Sequence, residues 1–322
     1  MGRILVSASH YDDLCKSAYD YLISEGHEVI FDPSRSFPSY TESELKELLP
    51  GIDAAIIGMD KYTESVFSCT KRLKAVAKFG VGVDNIDLEA AKKHGVYVIN
   101  APGCNSNAVA ELAVGFMIDL AREISPLFED MREGGWKRSI GDELSGKTVG
   151  LLGFGAVARL VARKLKAFDM NVIAYDLYPR EDLAKELGVR LTTFDEVVEN
   201  SDFLSLHIPA TKENHHLFDS AMFHRMKKGS YFINTARGGL VDMTALVEVL
   251  KSGWLKGAGL DAFETEPLSK DDPIFSAGNV ICTPHTGAET RESYEKVSLS
   301  TARDVNAVLK GGQPKAWVNR WE

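Results

Sequence analysis

Short apolar segments alternate with amphipathic segments through the first hundred residues of the chain. The apolar segments RILV, EVIF, AAIIG, KAVAKFG and VYVI each have the length and composition of a buried strand. Apolar residues recur with helical spacing in YDDLCKSAYDYLISEG, ESELKELLPG and LEAAKKHG, whose closing glycines, Gly26, Gly51 and Gly95, predict left-handed helix caps. Because parallel strands need a crossover between them, this alternation predicts a doubly wound α/β domain with a five-stranded parallel sheet.

The alternation stops at residues 107–132, where an alanine-rich and mostly apolar segment predicts one long helix. Pro126 lies inside this segment and is expected to kink or split the helix, because proline lacks the N–H group that the helix needs. A helix of this apolar character is expected to bridge two domains, to form a dimer contact, or to do both.

Alternation resumes near residue 140 and predicts a second parallel sheet that ends near residue 285. The predicted strands are KTVGLLGFG, NVIAYD, FLSLHI, YFINTA, GAGLDAF and NVICTPH. The predicted helices between them include AVARLVARKLKAF, SAMFHRMKKG and TALVEVLKSG, and an amphipathic helix follows at about 289–310. A chain of 322 residues also exceeds one typical hydrophobic core, so we expect two domains.

Composition narrows the class of protein. The formal net charge of −9 argues against non-specific nucleic-acid binding, although one arginine can still attract a small anion. Apolar runs are interrupted, as Asp119 interrupts LAVGFMIDLA, so we expect no membrane span. The cysteines are scattered without a CxxC pair, which favours a reducing, cytoplasmic location and predicts no metal site. They are Cys15, Cys69, Cys104 and Cys282.

A glycine-rich loop follows the first strand of the second sheet. Gly153, Gly155 and Ala158 match G-x-G-x-x-G/A, with an apolar strand before the motif and a helical repeat after it. Such a loop brings a pyrophosphate to the N–H groups at a helix start. Asp176 ends the next strand, where a carboxylate can accept hydrogen bonds from the ribose hydroxyls. Its negative charge would repel a 2′-phosphate, so NAD is favoured over NADP. The positive charge of the nearby Arg180 slightly weakens this preference. The alternative is a tight strand–helix turn that binds no ligand.

Three later strands of this sheet end in residues of catalytic type. Arg237 ends one strand, Asp261 and Glu266 follow the next, and His285 follows the last. Taken singly, each residue is more typical of a solvated loop. Carboxyl ends of parallel strands share one sheet edge, however, and a ketone reduction needs a cation for the substrate and an acid for the developing alkoxide. Together they favour a guanidinium that binds a 2-oxo acid and a histidine proton donor whose tautomer is set by a carboxylate.

The sequence resembles the D-isomer-specific 2-hydroxyacid dehydrogenases, and most of all their short phosphoglycerate-dehydrogenase-type members. The resemblance extends over nearly the whole chain. The matching segments are KFGVGVDNID (78–87), NAPGCNSNAVAE (100–111), WKRSIGDELSGKTVGLLGFGAVA (136–158), LHIPATKENHHLF (206–218), MKKGSYFINTARGGLVD (226–242), LDAFETEP (260–267) and TPHTGAET (283–290).

The resemblance implies a Rossmann NAD-binding domain at 101–288, inserted into a flavodoxin-like substrate domain formed by 1–100 and 289–322, and usually a homodimer. It implies that Arg237 binds the 2-oxo acid, that Glu266 pairs with His285, and that His285 donates the proton. It further implies that Val81 and Gly82 offer backbone N–H groups to the substrate carboxylate. The implied cofactor-binding residues are Gly153, Gly155, Ala156, Val157, Asp176, Pro209, Ala236 and Asp261.

The chain departs from the family pattern in the loop, where Ala156 and Val157 replace the more usual Arg-Ile and Ala158 replaces the third glycine. This is expected to weaken cofactor binding while the backbone contacts remain. Phosphate-handling relatives often carry arginine where this chain has Met59 and Lys61. The substrate therefore stays open among 3-phosphoglycerate, hydroxypyruvate, glyoxylate and other short 2-oxo acids.

The same residues are compatible with two other functions. Glu266 makes an acid pair suited to a ketone, so formate dehydrogenase relatives fit less well. The alternative from a different class is a corepressor-like protein that binds NAD and docks peptides, because such proteins also keep the Arg/Glu/His set.

Overall fold

A computed structural model describes residues 1–34 and 40–321 of the chain. The chain divides into two compact units, one formed by Met1–Asn105 with Ala288–Glu322 and the other by Ser106–Gly287. Within these residues each unit contains one sheet, all pairs of named strands are parallel, and helices alternate with the strands, which confirms the predicted α/β class. Among the described residues, no helix combines the length and the apolar character that a membrane span requires.

The sheet of the first unit is built from the five apolar segments that the sequence predicts as strands. They are β1 (Arg3–Val6), β2 (Glu28–Phe31), β3 (Ala54–Ile57), β4 (Ala75–Lys78) and β5 (Tyr97–Ile99). Their order is β2-β1-β3-β4-β5, the doubly wound order of flavodoxin-like folds. Every residue of β3 and β4 is buried, as expected for central strands of a parallel sheet that is covered on both faces.

Among the described residues, the N-terminal part of this unit has four α-helices. They are α1 (Lys16–Ser24), α2 (Glu42–Leu48), α3 (Glu64–Phe67) and α4 (Leu88–Lys93). Gly26 and Gly95 follow α1 and α4 with φ of +83° and +68°, which confirms two of the three predicted left-handed caps.

The left-handed cap predicted at Gly51 is wrong. Gly51 ends a 3-10 helix, Leu49–Gly51, in which Pro50 occupies the first turn and Ile52 N–H donates to the Leu49 carbonyl at 3.0 Å. The chain therefore leaves α2 through a tighter turn that needs no positive φ at the glycine. Glycine instead leaves space for Arg3, whose Nη1 would lie 2.7 Å from an added Cβ.

The long helix predicted at 107–132 is two helices, α5 (Ser106–Arg122) and α6 (Ile124–Arg132). The break lies at Glu123, which has φ of +52°, and Pro126 falls in the first turn of α6, where its missing N–H costs nothing. Asp119 stabilises the break, since its carboxylate accepts the N–H of Ser125 at 2.8 Å and its hydroxyl at 2.5 Å.

The second unit contains a seven-stranded sheet. Its strands are β6 (Thr148–Leu152), β7 (Asn171–Tyr175), β8 (Arg190–Leu191), β9 (Phe203–Leu206), β10 (Tyr231–Asn234), β11 (Gly257–Leu260) and β12 (Val280–Cys282). Its further helices are α7 (Ala156–Lys166), α8 (Glu181–Leu187), α9 (Phe194–Asn200), α10 (Ser220–Arg225) and α11 (Met243–Lys251). The six predicted strands are confirmed, and β8 is an addition that the sequence analysis missed.

The strand order of this sheet is β12-β11-β10-β9-β6-β7-β8. Reading outward from β6, one half runs through β7 to β8 and the other through β9 to β12, which is the Rossmann arrangement. The direction of winding reverses between β6 and β9, and ligands of such sheets bind outside the carboxyl ends of the strands at this point. The glycine loop that follows β6 lies at this edge.

After β12 the chain returns to the first unit through α12 (Arg291–Leu309), close to the amphipathic helix predicted at 289–310. Thr290 caps its first turn, accepting the N–H of Ser293 at 3.2 Å. Tyr294 and Val305 of α12 are buried in the same core cluster as Ile4 of β1. The C-terminal segment thus completes the hydrophobic core that the N-terminal segment begins.

Candidate active site

The glycine loop joins β6 to α7, and its two glycines are needed for different reasons. Gly153 has φ of +90°, and an added Cβ would lie 2.5 Å from the carbonyl oxygen of His207, so the fold itself requires glycine there. Gly155 is the exposed N-cap of α7, and an added Cβ would meet no atom within 4 Å. Ala156 is also exposed, whereas Ala158 is fully buried in the core. Open space in front of a helix start fits the pyrophosphate of a dinucleotide.

Asp176 directly follows β7 and lies beside this loop. Its Oδ2 accepts the N–H of Phe154 at 2.6 Å, and its Oδ1 accepts the N–H of Tyr178 at 2.8 Å. A carboxylate has about four lone-pair sites, so further sites can accept ribose hydroxyls. Arg180 pairs with Asp182, with Nη2 and Oδ2 2.8 Å apart, and does not neutralise Asp176 in this arrangement.

Two more of the predicted cofactor-binding residues lie at strand ends of the same sheet. Pro209 is exposed in the loop after β9, and its carbonyl accepts the Asn214 side-chain amide at 2.8 Å. Ala236 lies in the loop after β10, and its N–H donates to Oδ1 of the buried Asn234 at 3.0 Å. Val157 is half-buried in the first turn of α7.

Arg237 is half-buried in the turn that follows β10. Its Nη1 donates to the Ala236 carbonyl at 2.8 Å, and its own carbonyl accepts the Asn234 side-chain amide at 2.8 Å. The next residue, Gly238, touches the backbone of Phe263, because a Cβ added to the glycine would lie 1.9 Å from the Phe263 carbonyl carbon. The turn that carries Arg237 is thereby packed directly against the loop that carries Glu266.

Glu266 and His285 form the pair that the sequence predicts. The Nδ1 atom of His285 lies 3.0 Å from both carboxylate oxygens of Glu266. Because a carboxylate only accepts hydrogen bonds, Nδ1 carries the proton and Nε2 is the nitrogen left for other chemistry. The side chains are 43% and 29% exposed, so a ligand can reach the imidazole. His285 has φ of +53°, and its N–H donates to the Thr283 carbonyl at 2.9 Å.

Asp261 holds the loop that presents His285. This carboxylate is 2% exposed, and its oxygens accept the Thr283 hydroxyl at 2.5 Å and the N–H groups of Thr286 and Gly287 at 2.8 Å each. The family resemblance implies a cofactor contact for Asp261. The contacts within the chain assign it the additional task of positioning the residues on both sides of the histidine.

Val81 and Gly82, the predicted substrate-binding pair, lie in a bend after β4 in the first unit. Val81 is 40% exposed, and its carbonyl accepts the side-chain amide of Asn100 at 2.7 Å. The structure thus brings the predicted cofactor-binding and catalytic residues to one sheet edge of the second unit, and it places the substrate-binding pair in the other unit.

Two features of this sheet edge were missed by the sequence analysis. Burial lowers the pKa of His207 to about 4, so its imidazole, 3.0 Å from the Ser205 hydroxyl, stays neutral next to the glycine loop. His215 and His216 both contact Glu264. The adjacent histidines were a visible signal, but no pattern in the sequence pairs them with Glu264.

Known proteins share this architecture. Residues 114–287 match the family model of the D-isomer specific 2-hydroxyacid dehydrogenase NAD binding domain. The D-3-phosphoglycerate dehydrogenase of Archaeoglobus fulgidus is 39% identical over 96% of this chain and 58% of its own length. The glyoxylate reductase of Thermofilum pendens is 36% identical over 93% of this chain and 90% of its own length.

The apo-structure of D-lactate dehydrogenase from Escherichia coli superposes with a TM-score of 0.84, at 32% identity, over 99% of this chain and 100% of that one. The chain spans little more than half of the phosphoglycerate dehydrogenase but nearly the whole of the other two proteins. The second unit carries the family's NAD-binding domain, and the glycine loop and Asp176 fit that cofactor. The chain belongs to the D-isomer specific 2-hydroxyacid dehydrogenase family.

Proposed function

We propose that the protein is an NAD-dependent dehydrogenase that interconverts a small D-2-hydroxy acid and its 2-oxo acid. The observation that carries this proposal is the His285–Glu266 pair, with both carboxylate oxygens 3.0 Å from Nδ1, on the sheet edge that also carries Arg237 and the glycine loop. Three relatives are named for reactions of this class. They are the phosphoglycerate dehydrogenase, the glyoxylate reductase and the D-lactate dehydrogenase described above.

The cofactor supplies the hydride when it is bound, and the chain's own residues supply binding and proton transfer. Gly153, Gly155, Ala156, Val157, Asp176, Pro209, Ala236 and Asp261 are the residues that we propose hold NAD. Asp176 favours NAD over NADP, because its negative charge would repel a phosphate on the ribose 2′-oxygen.

His285 is the proposed acid and base. Glu266 keeps the proton on Nδ1, so Nε2 can donate a proton to the substrate oxygen in reduction and accept it in oxidation. The same carboxylate stabilises the imidazolium that forms when Nε2 is protonated. The Phe263 N–H donates to Oε1 of Glu266 at 2.9 Å and restrains the carboxylate itself.

Arg237 is the proposed substrate-binding cation. A guanidinium can bind a carboxylate oxygen and a carbonyl oxygen with two parallel hydrogen bonds, and it polarises the carbonyl toward the charge that develops in reduction. The hydrogen bond from its Nη1 to the Ala236 carbonyl, 2.8 Å long, restrains the guanidinium. We also propose that the N–H groups of Val81 and Gly82 bind the substrate carboxylate and that the first unit is the substrate domain.

The proposed substrate is a short 2-oxo acid, and two residues at the ends of strands β3 and β4 favour an unphosphorylated one such as glyoxylate or hydroxypyruvate. Met59, where phosphate-handling relatives often carry arginine, is 52% exposed and uncharged. Lys78 is 8% exposed, and its ammonium donates to the Gly58 carbonyl at 2.5 Å. Lys61 is exposed.

The test is a panel of 2-oxo acids with and without a phosphate group, in which NADH oxidation is followed by absorbance. We expect turnover of glyoxylate or hydroxypyruvate, and His285→Ala should reduce turnover by about 100-fold or more, the typical contribution of a general acid. NADH affinity, measured by fluorescence titration, should remain near the wild-type value. Turnover by the variant at a tenth of the wild-type rate or above would contradict the assignment of His285. Tight NADH binding by the wild type without turnover of any acid would favour the corepressor-like alternative.

We further propose that the protein is a homodimer in the cytoplasm. Helix α6 has no buried residue, and its Ile124, Phe128 and Met131 are 50%, 58% and 57% exposed, which suits contact with a second copy of this surface. Sedimentation analysis should give a dimer for the wild type and a monomer for Phe128→Glu; a wild-type monomer would refute the assembly. The cytoplasmic location stays a prediction from cysteine usage.

A further inference from the structure

Two adjacent histidines and one glutamate form a cluster beside the Arg237 turn, separate from the residues assigned to the reaction. This His–His–Glu cluster consists of His215, His216 and Glu264. The Nε2 atom of His215 lies 2.7 Å from Oε1 of Glu264, and the Nε2 atom of His216 lies 2.8 Å from Oε2. One nitrogen or oxygen atom from each of the three residues lies within 4.8 Å of the others.

The backbone of this segment is arranged so that two consecutive imidazoles point the same way. Their rings stack with centroids 3.9 Å apart and an interplanar angle of 23°. His216 has φ of +52°, a conformation that is uncommon outside glycine. Both rings therefore offer the same type of nitrogen to one carboxylate, although neighbouring side chains of an extended segment would point to opposite sides.

The electrostatics of the cluster favour a cation. With both imidazoles neutral, Glu264 leaves the cluster with one negative charge. The three side chains are 37–51% exposed, which lets an ion enter from solvent and keep water at its remaining positions.

We propose that His215, His216 and Glu264 bind a divalent transition-metal ion of the zinc type. Imidazole nitrogens and a carboxylate oxygen are ligands that zinc takes at about 2.0–2.2 Å, which puts ligand atoms of a tetrahedral site about 3.3 Å apart. The nitrogen–oxygen distances of 2.7 and 2.8 Å would widen by about half an ångström as the ion replaces the shared protons. Small side-chain rotations supply this change, and a water molecule completes the coordination.

The position of the cluster gives the ion a structural effect. The N–H of His216 donates to the Gly239 carbonyl at 2.9 Å, so this segment is already bonded to the turn that follows Arg237. Glu264 lies two residues before Glu266 in the next loop. An ion would therefore fasten the histidine segment to the loop that carries the carboxylate partner of His285.

Isothermal titration of the full chain with zinc chloride tests the proposal. The cluster variants are His215→Gln, His216→Asn and Glu264→Gln; asparagine is chosen at 216 because it tolerates the left-handed backbone. His224→Gln removes an exposed histidine from α10 outside the cluster and is the matched control. We expect one ion per chain in the wild type and in His224→Gln, and binding weaker by about tenfold or more in each cluster variant.

Thermal unfolding with zinc chloride or with EDTA is the second readout. Zinc should raise the unfolding temperature of the wild type and of His224→Gln, and it should have no effect on the cluster variants, because an ion that binds only the folded state stabilises it. Equal zinc affinity in all five proteins would place the ion elsewhere, for example on cysteine thiols, and would overturn the proposal. The proposal would also be overturned if zinc left the unfolding temperature of the wild type unchanged while the cluster variants unfolded at lower temperatures than the wild type in EDTA. In that case the cluster would stabilise the fold through hydrogen bonds alone. Neither readout uses turnover, so the outcome is separate from that of the proposed dehydrogenase activity.

Discussion

Adding a single methyl group to the glycine loop separates its role in cofactor binding from its role in the fold. In Gly155→Ala the new Cβ meets no atom within 4 Å, and the φ of −73° and ψ of −165° are accessible to alanine. Alanine is a poorer N-cap residue than glycine by up to about 1 kcal/mol. It also lowers the conformational entropy of the unfolded chain, which favours folding by about 0.4–1 kcal/mol. The free energy of unfolding should therefore change by less than about 1 kcal/mol.

The effect on cofactor binding should be much larger. The methyl group would occupy the open space through which a pyrophosphate approaches the helix start. Crowding of a close contact by one methyl group costs about 1–3 kcal/mol, which corresponds to a loss of about 5- to 150-fold in NADH affinity. Fluorescence titration with NADH measures this loss, and urea unfolding of the same samples measures stability.

Gly153→Ala is the matched variant with the opposite expectation. Its φ of +90° disfavours alanine by about 1–2 kcal/mol, and a Cβ 2.5 Å from the His207 carbonyl oxygen adds about 1–3 kcal/mol of overpacking. This variant should lose about 2–5 kcal/mol of stability. If Gly155→Ala bound NADH with wild-type affinity, the pyrophosphate would not lie at this position. If the two variants were equally destabilised, the space in front of Gly155 would not be open.

Three further variants test neighbouring residues. Asp176→Ala should raise the ratio of NADPH to NADH turnover, because the charge that repels a 2′-phosphate is removed; an unchanged ratio would mean that Asp176 does not contact the ribose. Asp261→Asn should lower kcat more than it raises KM and reduce the thermal unfolding temperature, because an amide cannot accept from all three donors of the His285 loop; wild-type kcat would show that the loop needs no such restraint. The folded-state pKa of His207, about 4, lies below its unfolded value of 6.5, so the associated stability is present above pH 6.5 and lost as the pH falls toward 4. Urea unfolding should show about 2 kcal/mol less stability at pH 5 than at pH 7.5, and His207→Gln should lack this part of the decline.

Much of the fold follows from local sequence patterns. Of the twelve strands in the described part of the chain, eleven coincide with apolar runs, because a strand covered on both faces must be apolar along its length. The exception is β8, which has two residues, Arg190 and Leu191, and pairs with Ile173 and Ala174 of β7. A strand of two residues is too short to show a periodic pattern in the sequence. Strand β8 forms because it pairs with β7 in the folded chain.

Other features required the tertiary structure even where a local pattern predicted part of them. The sequence predicts a break near Pro126, but the helix breaks at Glu123. The Asp119 carboxylate accepts two hydrogen bonds from Ser125 at this break. The left-handed cap expected at Gly51 became a 3-10 turn that makes space for Arg3, a residue 48 positions away.

The sequence alone was enough to predict which residues meet at the candidate site. Arg237, Glu266 and His285 follow strands, and the carboxyl ends of parallel strands share one edge, so their proximity follows from the alternation of strands and helices. Only the tertiary structure decided that Asp261 restrains the His285 loop and that His215 and His216 meet Glu264 across 49 and 48 residues of chain. Local patterns report which face of an element is buried, whereas contacts between distant loops depend on the strand order and on the turn conformations, which those patterns do not contain.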